Sequence, residues 1–255
     1  MPRLAANLSF LFAELPFLER FAAAAEAGFR GVEMLFPYAY EPAEIRDLLD
    51  AHELQPVLFN VSPGIWDKGE RGLAAITGRE AEFEAALTQA IGYAGKIGCR
   101  QLHVMAGLEA HGAQRATYVR NLRAAAAAVR GLGITLLVEP INTFDMPGYL
   151  ISRTEDAAAL IDEVGSDSVR LQLDLYHRHR MEGDAAGAIA RFHPIVAHYQ
   201  IAGPPDRGEP VPSELDVPAL FAAIDATGFG GWVGCEYRPR ANTLDGLSWR
   251  EGLAV

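Results

Sequence analysis

The stretch Leu136–Asn142, LLVEPIN, is a run of branched apolar residues that ends on a carboxylate, Glu139, followed by a proline. A continuous apolar run of this length suits a parallel strand buried on both faces. Such a strand has no use for a charge, so a glutamate at its C-terminal end requires a cation, a proton or a substrate as partner. Three later strand-like segments end in the same way. VRLQLD closes on Asp174, AHYQIA carries Gln200 near its end, and GWVGCEY carries Glu236. A lone acidic residue after a strand is usually the cap of the next helix. Four oxygen donors on four successive strand ends point instead to a site.

Outward from that strand, one unit recurs along the chain: a helix, a glycine, then an apolar strand. Gly28 precedes a strand at Gly31–Leu35, Gly98 one at Gln101–Ala106, Gly133 the opening stretch, Gly165 one at Val169–Asp174, and Gly228 one at Gly231–Tyr237. Glycine just past a helix accepts the left-handed conformation that ends it. With Leu4–Leu8, Gln55–Val61 and Val196–Ala202 there are eight candidate strands. The segments between them carry apolar residues at helical spacing, such as Phe83, Leu87 and Ile91, and Pro16 suits the first turn of the first helix. Eight strands alternating with helices predict an α/β fold of the (β/α)₈ TIM-barrel type, with residues 1–255 as a single domain. An open doubly wound sheet would bring a glycine-rich turn after its first strand, and that place reads NLSFLFAEL. The loops after the third and seventh strands, residues 62–72 and 203–214, are long and polar. In a barrel such loops build the active-site face, where Phe36 and Trp66 could wall a pocket or sit at a subunit interface.

Half of the 255 residues are hydrophobic, enough for a large core. The net charge of −11 argues against a nucleic-acid or anionic-membrane partner. Cys99 and Cys235 have no metal or redox spacing, which suits a reduced, cytoplasmic protein. The opening MPRLAANLSFLF lacks the marks of a signal peptide, and no stretch nears the roughly 20 apolar residues of a membrane span.

If the four strand-end residues point inward, three carboxylates and an amide oxygen converge at the top of the barrel. A hard, all-oxygen set of this kind favours one divalent Mg²⁺ or Mn²⁺ over zinc. Without a cation the carboxylates would repel and take up protons. His177, in DLYH, could reach a bound substrate as a donor, whereas His198, one layer below Gln200, suits a supporting or core-filling place. Arg207 and Arg238 are the nearest cations to grip a substrate carboxylate, and Arg207 is the better candidate.

AANLSFLF (5–12), GFRGVEMLFPY (28–38), TGRE (77–80), VEPIN (138–142), QLDLYHRHRMEG (172–183), QIAGPPDRGEP (200–210) and GWVGCEYRP (231–239) together resemble the hydroxypyruvate isomerase family of the xylose-isomerase-like barrels. The resemblance runs from Asn7 to about Trp249. It implies Glu139, Asp174, Gln200 and Glu236 as metal ligands, Glu139 and Glu236 as the proton-transfer pair, and His177 at the substrate. The implied reaction interconverts hydroxypyruvate and tartronate semialdehyde (2-hydroxy-3-oxopropanoate) through a cis-enediolate, an intramolecular oxidoreduction on a small hydroxy-keto acid. In much of the superfamily a histidine stands at the position of Gln200, so the glutamine points to this branch. QIAGPPDR and LFNVSPG look nearly as much like the related 2-oxo-tetronate isomerases, whereas VEPINTFDMPGY leans toward hydroxypyruvate isomerase. A ketose 3-epimerase could use the same pair on a sugar-derived substrate. A metal-dependent nuclease of the superfamily would want many histidines and a basic surface, and this chain has seven histidines and an acidic balance. A non-catalytic small-molecule-binding barrel would have a pocket without turnover. The sequence leaves room for a homo-oligomer.

Overall fold

The computed structural model describes residues 2–211 and 214–251; two residues of the expected seventh loop, 212 and 213, lie outside them. Eight strands close into a parallel barrel in sequential order. They are β1 (Arg3–Asn7), β2 (Gly31–Met34), β3 (Gln55–Asn60), β4 (Gln101–His103), β5 (Thr135–Val138), β6 (Val169–Asp174), β7 (Val196–Ile201) and β8 (Trp232–Cys235). Each expected strand is found, and β4 stops three residues early. Helices α1 (Arg20–Glu26), α2 (Pro42–Ala51), α3 (Glu80–Ile97), α4 (Arg115–Ala128) and α5 (Thr154–Val164) each follow one strand. Two helices, α6 (Leu175–Glu182) and α7 (Ala185–Phe192), follow β6, and α8 (Val217–Ala226) follows β7. Pro16 does not enter α1; it caps a short 3₁₀ turn, Phe17–Glu19, that leads into the helix.

Local chemistry sets these boundaries. Gly98 and Gly165 follow α3 and α5 directly with φ of 79° and 69°, the left-handed ending that the sequence predicts. Aspartates start three helices: the side chains of Asp174, Asp184 and Asp216 accept backbone N–H groups at the heads of α6, α7 and α8. Each helix packs its apolar stripe on the barrel, and burial of one large apolar side chain stabilises by ~2 kcal/mol. In α3 the buried stripe is Phe83, Leu87, Ala90, Ala94 and Ile97, and Ile91 is only half-buried. Eight residues turn a helix about 80° past two full turns, so Ile91 drifts to the edge while Ala90 stays beneath Phe83.

Inside the barrel the lining changes character along its axis. Ala5, Val57, Leu137 and Trp232 pack together in an apolar cluster. Toward the C-terminal ends the register places Asn7 beside Glu33, Gln172 beside His198, and Asp174 beside Gln200. A polar layer therefore stands on an apolar plug, and the loops after the strands enclose it.

Candidate active site

Glu139 is the residue after β5, Asp174 ends β6, Gln200 is the penultimate residue of β7, and Glu236 follows β8. All four are buried at the barrel mouth. A cavity of about 390 Å³ opens above them, and Glu139, Glu236, His177 and Arg207 line it. Phe36 and Trp66 form part of its wall, with ring centroids 5.5 Å apart. The Arg71 guanidinium lies over the Trp66 ring, 3.7 Å from its centroid.

Asp174 has two roles at once. Its Oδ1 accepts the backbone N–H groups of Tyr176 and His177 at 2.8 and 3.4 Å, and so caps α6. Its Oδ2 faces the site, 3.6 Å from His177 Nε2 and 3.5 Å from Arg207 Nη2. Glu139 is less committed: Oε2 lies 3.5 Å from His103 Nδ1, and the buried Oε1 has no hydrogen-bond partner. Glu236 is fully engaged. Arg207 Nη2 donates to Oε1, while Asn7 Nδ2 (2.8 Å) and Gln200 Nε2 (2.6 Å) donate to Oε2. The Gln200 amide oxygen accepts from Gln172 Nε2 at 2.7 Å.

His177 Nδ1 accepts from the Asn142 side-chain amide at 2.6 Å and lies 3.5 Å from the Asn142 backbone nitrogen. Two donors at Nδ1 assign the proton of a neutral ring to Nε2, which sits between Asp174 and Glu139, 3.8 Å from Glu139 Oε1. His177 therefore presents a donor to the cavity floor.

Burial drives the acid–base properties. It raises Glu139 well above the usual carboxylate range, reinforced by the charges of Glu236 and Asp174. It lifts Glu236 to about 8 against the opposing pull of Arg207, and it raises Asp174 against the same arginine. It also lowers His103 to about 3 and His177 well below its ordinary value. Burial disfavours the charged form of Arg207, yet Glu236 and Asp174 outweigh it and keep the guanidinium protonated. Buried carboxylates that gather in this way need positive charge, and the unpartnered Glu139 Oε1 offers a lone pair to it. Atoms of Glu139, Asp174 and His177 lie within 4.8 Å of one another, a set compatible with a divalent metal ion. His177 would join only by giving up its Nε2 proton.

Sequence reasoning found the strand-end residues but missed Glu33. This fully buried acid on β2 accepts from His198 Nε2 at 2.7 Å. The expected place of His198, below Gln200, agrees with that contact. Arg207 sits closer to the carboxylates than the sequence suggests. Its backbone has φ of 57° in a loop closed by paired Gly203 and Gly208, which turns the side chain inward between Phe10 and Tyr176. Arg238 lines the cavity beside Phe10.

Fold and site thus define a barrel enzyme with a carboxylate-lined mouth, and the comparisons with known proteins agree. The sequence model of the xylose isomerase-like TIM barrel family matches residues 21–254. A 2-oxo-tetronate isomerase from Cupriavidus necator is 52% identical over 98% of this chain and 97% of its own. A hydroxypyruvate isomerase from Escherichia coli is 43% identical over 98% and 99%. A crystal structure from Brucella melitensis, described as an AP endonuclease, family 2, is 49% identical over 98% of each chain with a TM-score of 0.96. The chain belongs to the xylose isomerase-like TIM barrel family and is an isomerase of the kind represented by these hydroxypyruvate and 2-oxo-tetronate relatives. Among the described residues no helix is long and apolar enough to cross a membrane.

Proposed function

We propose that this chain, acting as one barrel domain, isomerises a small α-keto acid by moving a proton between neighbouring carbons, with Glu139 and Glu236 as the exchanging pair. The observation that carries this is that Glu139 and Glu236, from two strand ends, line one cavity, with Asp174 grouped beside Glu139 and Glu139 Oε1 unclaimed. With hydroxypyruvate, one glutamate takes a proton from the hydroxymethyl carbon. The electron pair moves into a carbon–carbon double bond, giving a cis-enediolate. The hydroxyl proton passes from the terminal oxygen to the former carbonyl oxygen, the other glutamate protonates the former carbonyl carbon, and tartronate semialdehyde results. Buried carboxylates with raised proton affinity suit such exchange.

Glu139 and Asp174 would hold a divalent ion, Mg²⁺ or Mn²⁺. Gln200 and Glu236, the other expected oxygen ligands, accept from Gln172 and from Arg207 and Asn7 respectively, and would join only by exchanging those partners. Such an ion supplies Lewis-acid stabilisation of the developing oxygen charge. His177 Nε2 offers a hydrogen bond to a substrate oxygen. Arg207 neutralises Glu236 and Asp174 and is the cation nearest to receive a substrate carboxylate.

The motif VEPINTFDMPGY favours hydroxypyruvate, and the 52% identity to the Cupriavidus necator relative favours the four-carbon 2-oxo-tetronate. Turnover of metal-reconstituted protein on both acids and on free ketoses, with an EDTA control, tests the proposal. Metal-dependent isomerisation of either acid supports it and selects the substrate. Activity on ketoses alone assigns an epimerase, and cleavage of abasic DNA without isomerase activity assigns a nuclease.

A further inference from the structure

We propose that Glu33 is a positioning residue: by holding the side-chain nitrogens of Asn7 and Gln200, it keeps both aimed at Glu236. The proposal rests on the assignment of Glu236 to the proton-transfer pair.

Glu33 Oε1 accepts from Asn7 Nδ2 at 3.2 Å and from Gln200 Nε2 at 2.9 Å. The same two nitrogens donate to Glu236 Oε2 at 2.8 and 2.6 Å. A carboxamide nitrogen carries two hydrogens, so each amide gives one to each carboxylate and all four are used. Two acids from opposite sides of the β1 strand, Glu33 on β2 and Glu236 after β8, are thus bridged by two amides into a closed ring. Outside the ring, His198 Nε2 holds Glu33 Oε2 at 2.7 Å, and Arg207 holds Glu236 Oε1.

A carboxylate only accepts, so Glu33 compels the nitrogen end of each amide to face it. Those nitrogens then also face Glu236. A side chain at position 33 that both donates and accepts would let either amide turn over and set its carbonyl oxygen against Glu236, where two acceptors repel. In Gln200 the same orientation leaves Oε1 toward β6, where Gln172 donates to it at 2.7 Å. The backbone keeps room for this arrangement. A Cβ at Gly234 would lie 2.2 Å from Glu33 Oε1 and 2.5 Å from its carboxyl carbon. A wholly buried acid with a glycine kept clear for it is costly as core filling alone and consistent with a positioning role.

The test compares Glu33→Gln, Asn7→Leu and the double variant on the acid that the wild type turns over. Side-chain carboxamide signals of Asn7 and Gln200 are followed in parallel by ¹⁵N–¹H NMR. Glu33→Gln preserves shape and retains an acceptor for His198. We expect it to fold, to lose about 10²-fold in kcat, and to keep KM within about twofold. The double variant should be no slower than the slower single variant, because both substitutions open one ring. The two carboxamide signals should lose their protection from hydrogen exchange in Glu33→Gln. A folded Glu33→Gln with near-normal kcat, or fully multiplicative losses in the double variant, overturns the proposal. If Glu33→Gln fails to fold, Asn7→Leu carries the same expected kcat loss, and a normal kcat there overturns it. If the wild type isomerises nothing, the assignment of function falls. The NMR then still decides the role of Glu33: lost protection upholds it and retained protection overturns it.

Discussion

Glu139 and Glu236 differ in what surrounds them, yet each is expected to be indispensable. Glu139 keeps one buried oxygen without a partner, whereas Glu236 is held by Arg207, Asn7 and Gln200. Glu139→Gln and Glu236→Gln preserve size and remove the ability to exchange a proton. Each should lower kcat by at least about 10²-fold with a metal-free thermal midpoint no lower than that of the metal-free wild type. Steady-state kinetics beside thermal melts check this, and a variant with near-normal kcat removes that residue from the proton path. Both glutamates were legible in sequence because each interrupts an apolar strand at the end where barrels build sites. Glu33 was not, because GVEM sets an acid inside a short strand, where sequence alone does not distinguish a buried acid from a solvent-facing one. The inward turn of Arg207 depends on a left-handed backbone within its loop, and no local pattern announces it.

At the scale of elements, strands and glycine-ended helices could be read from periodicity, but the seating of the loops could not. The loop after β3 carries Trp66 and Arg71 to the cavity, and Gly72 fixes its return. Gly72 has φ of 130°, and a Cβ there would meet the backbone oxygen of Met105 at 2.3 Å and the backbone nitrogen of Gly107 at 2.7 Å. Backbone atoms cannot swing aside as a side chain can, so the loop or the segment that follows β4 would have to move. Gly72→Ala should destabilise by at least about 2 kcal/mol and weaken substrate binding as Trp66 and Arg71 shift. Gly78 supplies the control: its φ is 87°, and a Cβ there meets nothing within 4 Å. Gly78→Ala should cost only the backbone strain, about 1 kcal/mol. Denaturant melts of the two variants measure the difference, and equal losses would show that close approach at Gly72 contributes nothing.

Across the whole molecule, the barrel concentrates negative charge at one end, and that charge has to be balanced. Arg207 is the cation that reaches both Glu236 and Asp174, while at Glu139 burial, reinforced by Glu236 and Asp174, outweighs its pull and holds the proton affinity up. A divalent cation that binds this cluster in the folded state alone stabilises the fold by mass action, about 2.7 kcal/mol at a hundred times its dissociation constant. For a chain of this size, that corresponds to a rise in Tm of about 5–10 °C. Mn²⁺ or Mg²⁺ should therefore raise the melting temperature of EDTA-stripped protein. Glu139→Gln and Asp174→Asn should each abolish most of the rise, since each removes a charged donor. A surface substitution such as Glu163→Gln, far from the mouth on α5 and paired with Arg115, should leave the rise intact. The apo forms of the two site variants should melt no lower than the apo wild type, because each relieves repulsion among buried acids. Calorimetry with and without metal measures both effects. A melting temperature indifferent to Mg²⁺ and Mn²⁺ would leave Arg207 and bound protons as the charge balance of the site, and the proton exchange would then have to proceed without a metal ion.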